Sequence, residues 1–298
     1  MATAAGRDPP PLAALRGVSK RFGATEALRD VDLELREGEV VALLGANGAG
    51  KTTAISILLG LRRPDSGSAR LCGLDPRLPA ARRGIGVTPQ ELGFPPTLRV
   101  DEIVAFVRAH YAQPRTAEEV IDRFGLADVR RRQSGGLSGG QRRRLSVALA
   151  FVGNPAVVVL DEPTTGLDVE SRRAVWDVIG EFARAGGTVL LTTHNLDEAD
   201  ALARRVVVMS EGSVIADASL GEIKAHVGLR RILLRPQTLP ALGGVIRSTD
   251  EEGRLVLYVD DAGPVVQELV HVGANLDQLE VLPVSLEEAF IALTAAEP

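Results

Sequence analysis

The segment from Gly45 to Thr52 has residue types and a spacing suited to binding phosphate. It reads G-A-N-G-A-G-K-T, between an apolar run and a helical pattern. The glycines let the backbone curl so that successive N–H groups point at phosphate oxygens. The helix that begins near Lys51 adds the positive end of its dipole. In such a loop Lys51 reaches the β- and γ-phosphates of a nucleotide, and Thr52 binds Mg²⁺.

A second candidate group lies at the end of another apolar run, Val157–Leu160, which Asp161 and Glu162 follow directly. A buried parallel strand that ends in a carboxylate places it at the sheet edge where ligands bind. Asp161 would hold Mg²⁺ directly or through water, and Glu162 would orient or deprotonate the attacking water. Together with the glycine-rich loop, these two carboxylates predict a nucleotide-hydrolysing site.

A third segment, Leu137–Gln141, reads L-S-G-G-Q before a helical pattern that runs to Ala150. A hydroxyl residue and two glycines before a helix form another anion-binding helix N-terminus. One nucleotide does not need two such loops in one chain. Two chains facing head to tail would need them, because Ser138 of each would contact the γ-phosphate held by the partner's Lys51.

The elements that must position these residues alternate between strands and helices. Apolar runs predict a half-buried strand and several fully buried ones. The predicted strands are Ala27–Leu35, Val40–Leu44, Ile85–Val87, Val157–Leu160, Val189–Thr193 and Val206–Met209. Helical patterns between them, such as Lys51–Leu59, predict a parallel sheet covered on both faces. Residues from Thr97 to Ala150 show no convincing strand, and Thr116–Glu119 reads as a capping box that opens a helix.

Composition argues against several classes of protein. The 298 residues carry a net charge of −5, which argues against a general nucleic-acid binder because such a protein needs a basic face. We interpret the arginine runs Arg130–Arg132 and Arg142–Arg144 as a turn and a solvated helix face. Cys72 is the only cysteine, so a disulfide framework and a cysteine-based metal site are excluded. No stretch of 18 apolar residues exists, so any membrane span must come from another chain.

The motifs together resemble the ATP-binding-cassette (ABC) ATPases over about residues 12 to 225. This resemblance implies ATP and Mg²⁺ as ligands. It implies an adenine-stacking role for Phe22, a Mg²⁺-binding and partner-sensing role for Gln90, and a switch role for His194 at the γ-phosphate. The residues implied to contact nucleotide are Phe22, Gly45, Asn47, Gly48, Ala49, Gly50, Lys51, Thr52, Thr53, Gln90, Ser138, Gly139, Gly140, Gln141 and Asp168. Those implied in metal binding are Thr52, Gln90 and Asp161, and those in catalysis are Lys51, Glu162 and His194.

The resemblance also implies a domain plan. We expect a disordered N-terminus over residues 1–12 and an α/β ABC ATPase domain over 13–226. That domain would be a P-loop core with N-terminal antiparallel strands and an inserted helical subdomain at about 91–150. A small α+β domain of order β-β-α-β-α would follow over 227–298. Its strands are expected near Ile232–Leu234, Arg254–Val259 and Leu279–Leu282, with a helix from Pro264 to Gly273 and a terminal helix over Ser285–Ala292.

Three kinds of ABC protein fit the cassette. The first is the ATPase subunit of a transporter with separate membrane subunits. The second is a soluble factor of translation or DNA repair, and the third is a regulator without a membrane partner. Soluble factors usually carry two cassettes or a long coiled coil, and neither is present. Glu162 and His194 favour turnover over pure regulation. The short C-terminal domain resembles that of ABC-2 type exporters, including drug exporters.

The transporter reading carries expectations about partners. We expect transmembrane permease subunits, a second copy of the ATPase, no nucleic acid, and a position on the cytoplasmic face of the cell membrane. The loop Glu91–Leu98 would dock on the membrane subunit, with Phe94 as the exposed aromatic contact. The alternative is that Phe94 fills the core between two subdomains.

Overall fold

A computed structural model of the chain describes residues 10–88, 93–226, 229–251, 253–284, 286 and 288. The chain divides into two compact units, Met1–Asp217 and Ala218–Pro298. The domain boundary predicted after residue 226 falls within the second unit, at the end of a helix. Most of the predicted N-terminal disorder, residues 1–12, lies outside the described residues.

A six-stranded sheet of order β5-β6-β7-β3-β8-β9 forms the centre of the first unit. Its strands are β3 (Val40–Leu44), β5 (Ile85–Thr88), β6 (Val157–Asp161), β7 (Thr188–Thr192), β8 (Arg205–Ser210) and β9 (Ser213–Ser219). The pairings of β3 with β7 and β8, and of β6 with β5 and β7, are parallel. All residues of β3 and β7 are buried, as expected for strands covered on both faces.

A three-stranded antiparallel sheet of order β2-β1-β4 lies in the same unit. Its strands are β1 (Ala13–Phe22), β2 (Thr25–Leu35) and β4 (Ser66–Leu71). Helix α1 (Lys51–Leu58) contributes to the core that this sheet shares with the parallel one. Buried members of that core include Leu15, Leu33, Leu43, Ile57 and Leu190. The tight packing of both sheets on α1 fixes the helix that begins at the glycine-rich loop.

The helical segment of the first unit holds α2 (Val100–Arg108), α3 (Ala117–Arg123) and α4 (Gly139–Phe151), with short 3₁₀ turns at Ala127–Val129 and Ser134–Gly136. Thr116 caps α3 as predicted, because the Glu119 amide donates to its hydroxyl at 3.1 Å, whereas the Glu119 carboxylate of the predicted capping box accepts from Arg115 at 2.6 Å. The rings of Phe151 and Phe182 pack edge to face, with 5.1 Å between their centroids. This contact ties α4 to α5 (Val169–Arg184), and α6 (Leu196–Leu202) completes the unit.

The second unit is built on a four-stranded antiparallel sheet of order β11-β12-β10-β13. Its elements are α7 (Leu220–His226), β10 (Arg230–Leu234), β11 (Val245–Glu251), β12 (Arg254–Val259), α8 (Ala262–His271) and β13 (Glu280–Pro283). Strand β11 is absent from the sequence prediction. The predicted terminal helix over 285–292 lies almost entirely outside the described residues.

The predicted α/β fold class is confirmed. All six strands predicted for the first unit form, with ends that move by one or two residues. The interpretation of Arg142–Arg144 as a solvated face is wrong for Arg143, whose exposed fraction is 6%. The run Arg130–Arg132 is exposed, as expected.

Candidate functional site

The glycine-rich loop connects the buried strand β3 to helix α1. Gly48 and Gly50 have φ values of +87° and +103°, a region that side chains disfavour. A Cβ atom at Gly50 would lie 2.6 Å from the Ala27 carbonyl oxygen, whereas one at Gly48 would meet nothing within 4 Å. The loop turns directly into α1 at Gly50, which offers no side-chain cap. The first amides of α1 are therefore left for a ligand.

Two further loop residues have distinct surroundings. Ala49 is buried, and its amide donates to the Ala46 carbonyl at 3.1 Å. Asn47 is exposed at the tip.

Lys51 lies folded over this loop. Its Nζ donates to the carbonyl oxygens of Gly45 at 2.5 Å and Ala46 at 3.0 Å. Burial lowers the pKa of the Lys51 ammonium, although the carboxylates of Glu162 and Asp161 act in the opposite direction. Strands β3 and β6 both pair in parallel with β7, so Lys51, just after β3, and Asp161, at the end of β6, lie at the same edge of the sheet.

Asp161 and Glu162 lie where β6 leaves the sheet. The Thr192 hydroxyl donates to Asp161 Oδ1, and the Asp161 amide donates to Thr88 Oγ1 at 3.1 Å. Both contacts come from neighbouring strands, so they fix the carboxylate at the sheet edge. Glu162 has a φ of +49°, and its amide donates to the Thr192 carbonyl at 3.0 Å. This left-handed turn directs the chain out of the sheet immediately after the two carboxylates.

The Glu162 carboxylate is held at both oxygens. The Thr165 hydroxyl donates to Oε2 at 3.1 Å, and His194 Nδ1 lies 3.1 Å from Oε1. Burial alone raises the pKa of Glu162, but hydrogen bonds from His194 and Thr165 outweigh it, so the pKa lies below its ordinary value. The His194 side chain is 68% exposed. Glu162 is thus ionised, oriented and next to an accessible imidazole.

A shallow cavity of about 270 Å³ adjoins the start of α1. Its lining residues are Phe22, Thr52, Thr53, Ser56 and Arg62. Phe22 is 41% exposed, so its ring is free to take a flat ligand and does not serve the core. The guanidinium carbon of Arg62 lies 5.1 Å from the ring centroid. This cavity places an aromatic ring beside the two threonines that follow Lys51.

The segment at Ser138 forms a reciprocal capping box for α4. The Ser138 amide donates to Gln141 Oε1 at 3.0 Å, and the Gln141 amide donates to Ser138 Oγ at 3.1 Å. Gly139 and Gly140 form the first turn of the helix. Within the part of the chain that the structure describes, no hydrogen bond joins Ser138 or Gln141 to the loop at Lys51.

Asp168 caps α5 in a similar way. Its carboxylate accepts from the Ser171 amide at 2.8 Å and the Ser171 hydroxyl at 3.0 Å. These two hydrogen bonds hold the pKa of Asp168 below its ordinary range. Gln90, the remaining predicted ligand, lies outside the described residues.

Two buried polar residues next to the site, Arg143 and Glu198, were not predicted from the sequence. The Arg143 guanidinium donates to the main-chain oxygens of Asp161, Glu162 and Pro163. Glu198 is 1% exposed.

Glu198 accepts from the Thr164 hydroxyl at 2.7 Å and from Trp176 Nε1 at 3.1 Å. Arg143, Val147 and Phe151 are spaced four residues apart and so share one face of α4. Because Val147 and Phe151 are apolar, this spacing predicts that Arg143 faces the interior.

The comparisons with known proteins agree with this geometry. The ABC transporter family model matches residues 28–165. The chain is 35% identical over 309 residues to the doxorubicin resistance ATP-binding protein DrrA of Mycobacterium tuberculosis, covering 94% of this chain and 92% of the relative. The chain belongs to the ATP-binding proteins of ABC transporters, and as such it is an ATPase.

Two further similarities refine that assignment. The Nod factor export ATP-binding protein I of Burkholderia thailandensis is 38% identical over 294 residues, covering 94% of this chain and 96% of the relative. A solved ABC cassette, a post-hydrolysis dimer bound to ADP and phosphate, aligns with a TM-score of 0.64 at 25% identity. That alignment covers 70% of this chain and 98% of the other. Within the family, the chain groups with the ATP-binding subunits of the drug-resistance and export type.

Proposed function

We propose that this chain hydrolyses ATP with Mg²⁺ to drive export through separate transmembrane permease subunits, as one half of a head-to-tail homodimer. The observation that carries the proposal is the position of Lys51, Asp161, Glu162 and His194 at one edge of the parallel sheet, after strands β3, β6 and β7. Ser138 forms a second phosphate-type helix start without a hydrogen bond to that group. A site divided in this way is complete only when two chains meet.

Nucleotide binding follows from the loop and the cavity. The base would stack on Phe22, and the triphosphate would lie against the free amides at the start of α1. Lys51 would exchange the carbonyls of Gly45 and Ala46 for phosphate oxygens. That exchange is favourable because a charge-assisted hydrogen bond to phosphate is stronger than one to a neutral carbonyl.

The donor set also fits Mg²⁺. The Thr52 hydroxyl and the Asp161 carboxylate are hard oxygen ligands, and Mg²⁺ prefers one or two such groups together with substrate phosphates. Across the described residues, no cluster of three or more histidine, cysteine or acidic side chains forms a metal cage of its own. When bound, Mg²⁺ would neutralise charge on the phosphates.

The hydrolytic step is assigned to Glu162 and His194. Water attacks the γ-phosphorus, its proton passes to the Glu162 carboxylate, and the bond from the γ-phosphorus to the bridging oxygen breaks. His194 Nδ1 holds Glu162 Oε1, which leaves the exposed edge of the imidazole for the γ-phosphate. Orientation of Glu162 by two partners supports its role, because catalysis of phosphoryl transfer is largely positioning.

The membrane partner is inferred from family and composition. Among the described residues, no helix is long and apolar enough to cross a bilayer. We therefore assign the span to permease subunits and place this chain on the cytoplasmic face of the membrane. The names of the relatives, which refer to doxorubicin resistance and Nod factor export, support export as the direction. They give no support to the alternative of a soluble ABC regulator.

Replacement of the catalytic carboxylate tests the proposal. Glu162→Gln keeps the shape of the side chain but removes the group that orients water, so ATP should bind without turnover and hold two chains together. Size-exclusion chromatography with light scattering should show a dimer at saturating ATP and Mg²⁺. The double variant Lys51→Ala/Glu162→Gln is the matched control and should stay monomeric. A monomeric Glu162→Gln protein under saturating ATP would contradict the dimer.

A further inference from the structure

Arg143 is a buried cation aimed at the main chain that carries the catalytic carboxylate. It lies in α4, four residues after the first glycine of that helix, and is 6% exposed. Its Nε donates to the Pro163 carbonyl at 3.3 Å, and its Nη2 donates to the carbonyls of Asp161 and Glu162. One side chain therefore binds three consecutive carbonyl oxygens of the turn after β6.

That turn has an unfavourable backbone conformation. Glu162 has a φ of +49°, which is disfavoured for a residue with a Cβ atom. A non-glycine residue keeps such a conformation when its surroundings over-determine it. Here the surroundings are Arg143 on the carbonyl side and the Thr192 carbonyl, which accepts from the Glu162 amide at 3.0 Å.

The charge of Arg143 is buried near three carboxylates. Burial lowers the pKa of the Arg143 guanidinium, and the carboxylates of Asp161, Glu162 and Glu198 act in the opposite direction. Glu198 in turn accepts from Thr164 in the same turn. Removal of this guanidinium would leave three carbonyl oxygens without that donor and the nearby carboxylates without a compensating charge, which is costly in a buried place. The arrangement thus resists movement of the turn.

We propose that Arg143 is a positioning residue that holds the turn at Glu162 in the conformation needed for hydrolysis. The inference rests on the proposed role of Glu162. Ser138 caps α4, the helix that carries Arg143. Arg143 therefore joins the segment proposed to contact the partner's nucleotide to the carboxylate that acts on the chain's own nucleotide. Arg143 does not touch the reacting atoms, so its effect is on the rate of the chemical step and not on ATP binding.

Three variants test this role. Arg143→Met keeps much of the side-chain volume and removes all three hydrogen bonds, and Arg143→Lys keeps the charge with a single donor group. Arg144→Met is the matched control, because Arg144 is the next residue of α4 and also binds main-chain oxygens, but those of Phe124 and Gly125 and not those of the turn after β6. Steady-state ATPase rates and ATP binding are measured for each, and Trp176 fluorescence reports folding.

Arg143→Met should lower kcat by about 10- to 100-fold, the range expected when charge-assisted hydrogen bonds that position a reacting group are lost. KM and the Kd for ATP should stay within about twofold, since Arg143 binds the turn after β6 and not the phosphate loop. Arg143→Lys should recover part of kcat. Arg144→Met should keep kcat within about twofold of the unaltered chain.

Other outcomes overturn the inference. Equal kcat values for Arg143→Met and Arg144→Met, or a parallel loss of kcat and ATP affinity, would show that Arg143 supports the fold alone. If Arg143→Met does not fold, Arg143→Lys carries the test, and a kcat equal to that of the unaltered chain contradicts the proposal. An unaltered chain that binds ATP but does not hydrolyse it would instead contradict the proposed function.

Discussion

The two inner glycines of the phosphate loop should respond very differently to alanine. Both have positive φ values, +87° at Gly48 and +103° at Gly50. A Cβ atom at Gly48 meets nothing within 4 Å. One at Gly50 would lie 2.6 Å from the Ala27 carbonyl oxygen and 2.8 Å from Leu28 Cδ2. Gly48→Ala therefore measures backbone strain alone, and Gly50→Ala measures strain together with steric overlap.

The expected losses follow from these two effects. A residue with a Cβ atom in a left-handed conformation costs about 1–2 kcal/mol, which is the whole effect expected for Gly48→Ala. Overpacking against the main chain of β2 adds about 1–3 kcal/mol, so Gly50→Ala should lose about 2–5 kcal/mol of unfolding free energy. The flexible Leu28 side chain is able to shift, but the Ala27 carbonyl is main chain of β2 and has little freedom.

Urea unfolding followed by fluorescence measures the difference. Trp176 is the only tryptophan and lies in the first unit with the loop, so its emission reports that unit and not the second. The measurement is made without nucleotide, because the variants also alter ATP binding. The midpoint should fall further for Gly50→Ala than for Gly48→Ala at a similar slope. Equal midpoints would refute the reasoning from close contact.

Three further outcomes are expected. Mixing Ser138→Arg chains with Lys51→Ala chains should restore part of the ATPase activity, since one composite site carries neither lesion; ATP-dependent mixed dimers that remain inactive would count against independent sites. A chain that ends at Lys224 should retain ATP binding in a fluorescent-nucleotide assay, and a folded but non-binding product would contradict the domain plan. Phe94→Ala should preserve the ATPase activity of the isolated subunit while reducing its binding to membranes that contain the permease. A loss of stability instead would assign half-buried Phe94 to the core.

Much of the first unit was predictable because its chemistry lies at the ends of apolar strands. The runs at Val40–Leu44 and Val157–Leu160 are continuous, and each leads directly into phosphate- or metal-binding residue types. Buried parallel strands leave such a continuous signal, since both faces are covered. The predicted site residues remain proposals, but Lys51, Asp161, Glu162 and His194 do come together at one edge.

What the sequence did not reveal has physical reasons. Strands β4 and β11 are largely polar, as in the segments S-G-S-A-R-L and V-I-R-S-T-D-E, and the partner strand determines their pairing. Arg143 lies within three successive arginines, and only its spacing from Val147 and Phe151 shows that it is the one that points inward. Its partners are three carbonyl oxygens that are distant in the sequence, and no local pattern encodes that contact.

Because lysine is scarce in this chain, the half-buried ammonium of the phosphate loop is open to selective chemical labelling. The chain has three lysines, Lys20, Lys51 and Lys224, and Lys20 is paired with Asp65 at 2.6 Å. Burial lowers the pKa of Lys51, which enlarges the fraction of neutral, nucleophilic amine at a given pH. Acylating reagents attack that neutral form, and bound triphosphate would both shield the amine and restore its charge. The extent of acylation at Lys51, measured by mass spectrometry, would thus report the fraction of sites that hold nucleotide.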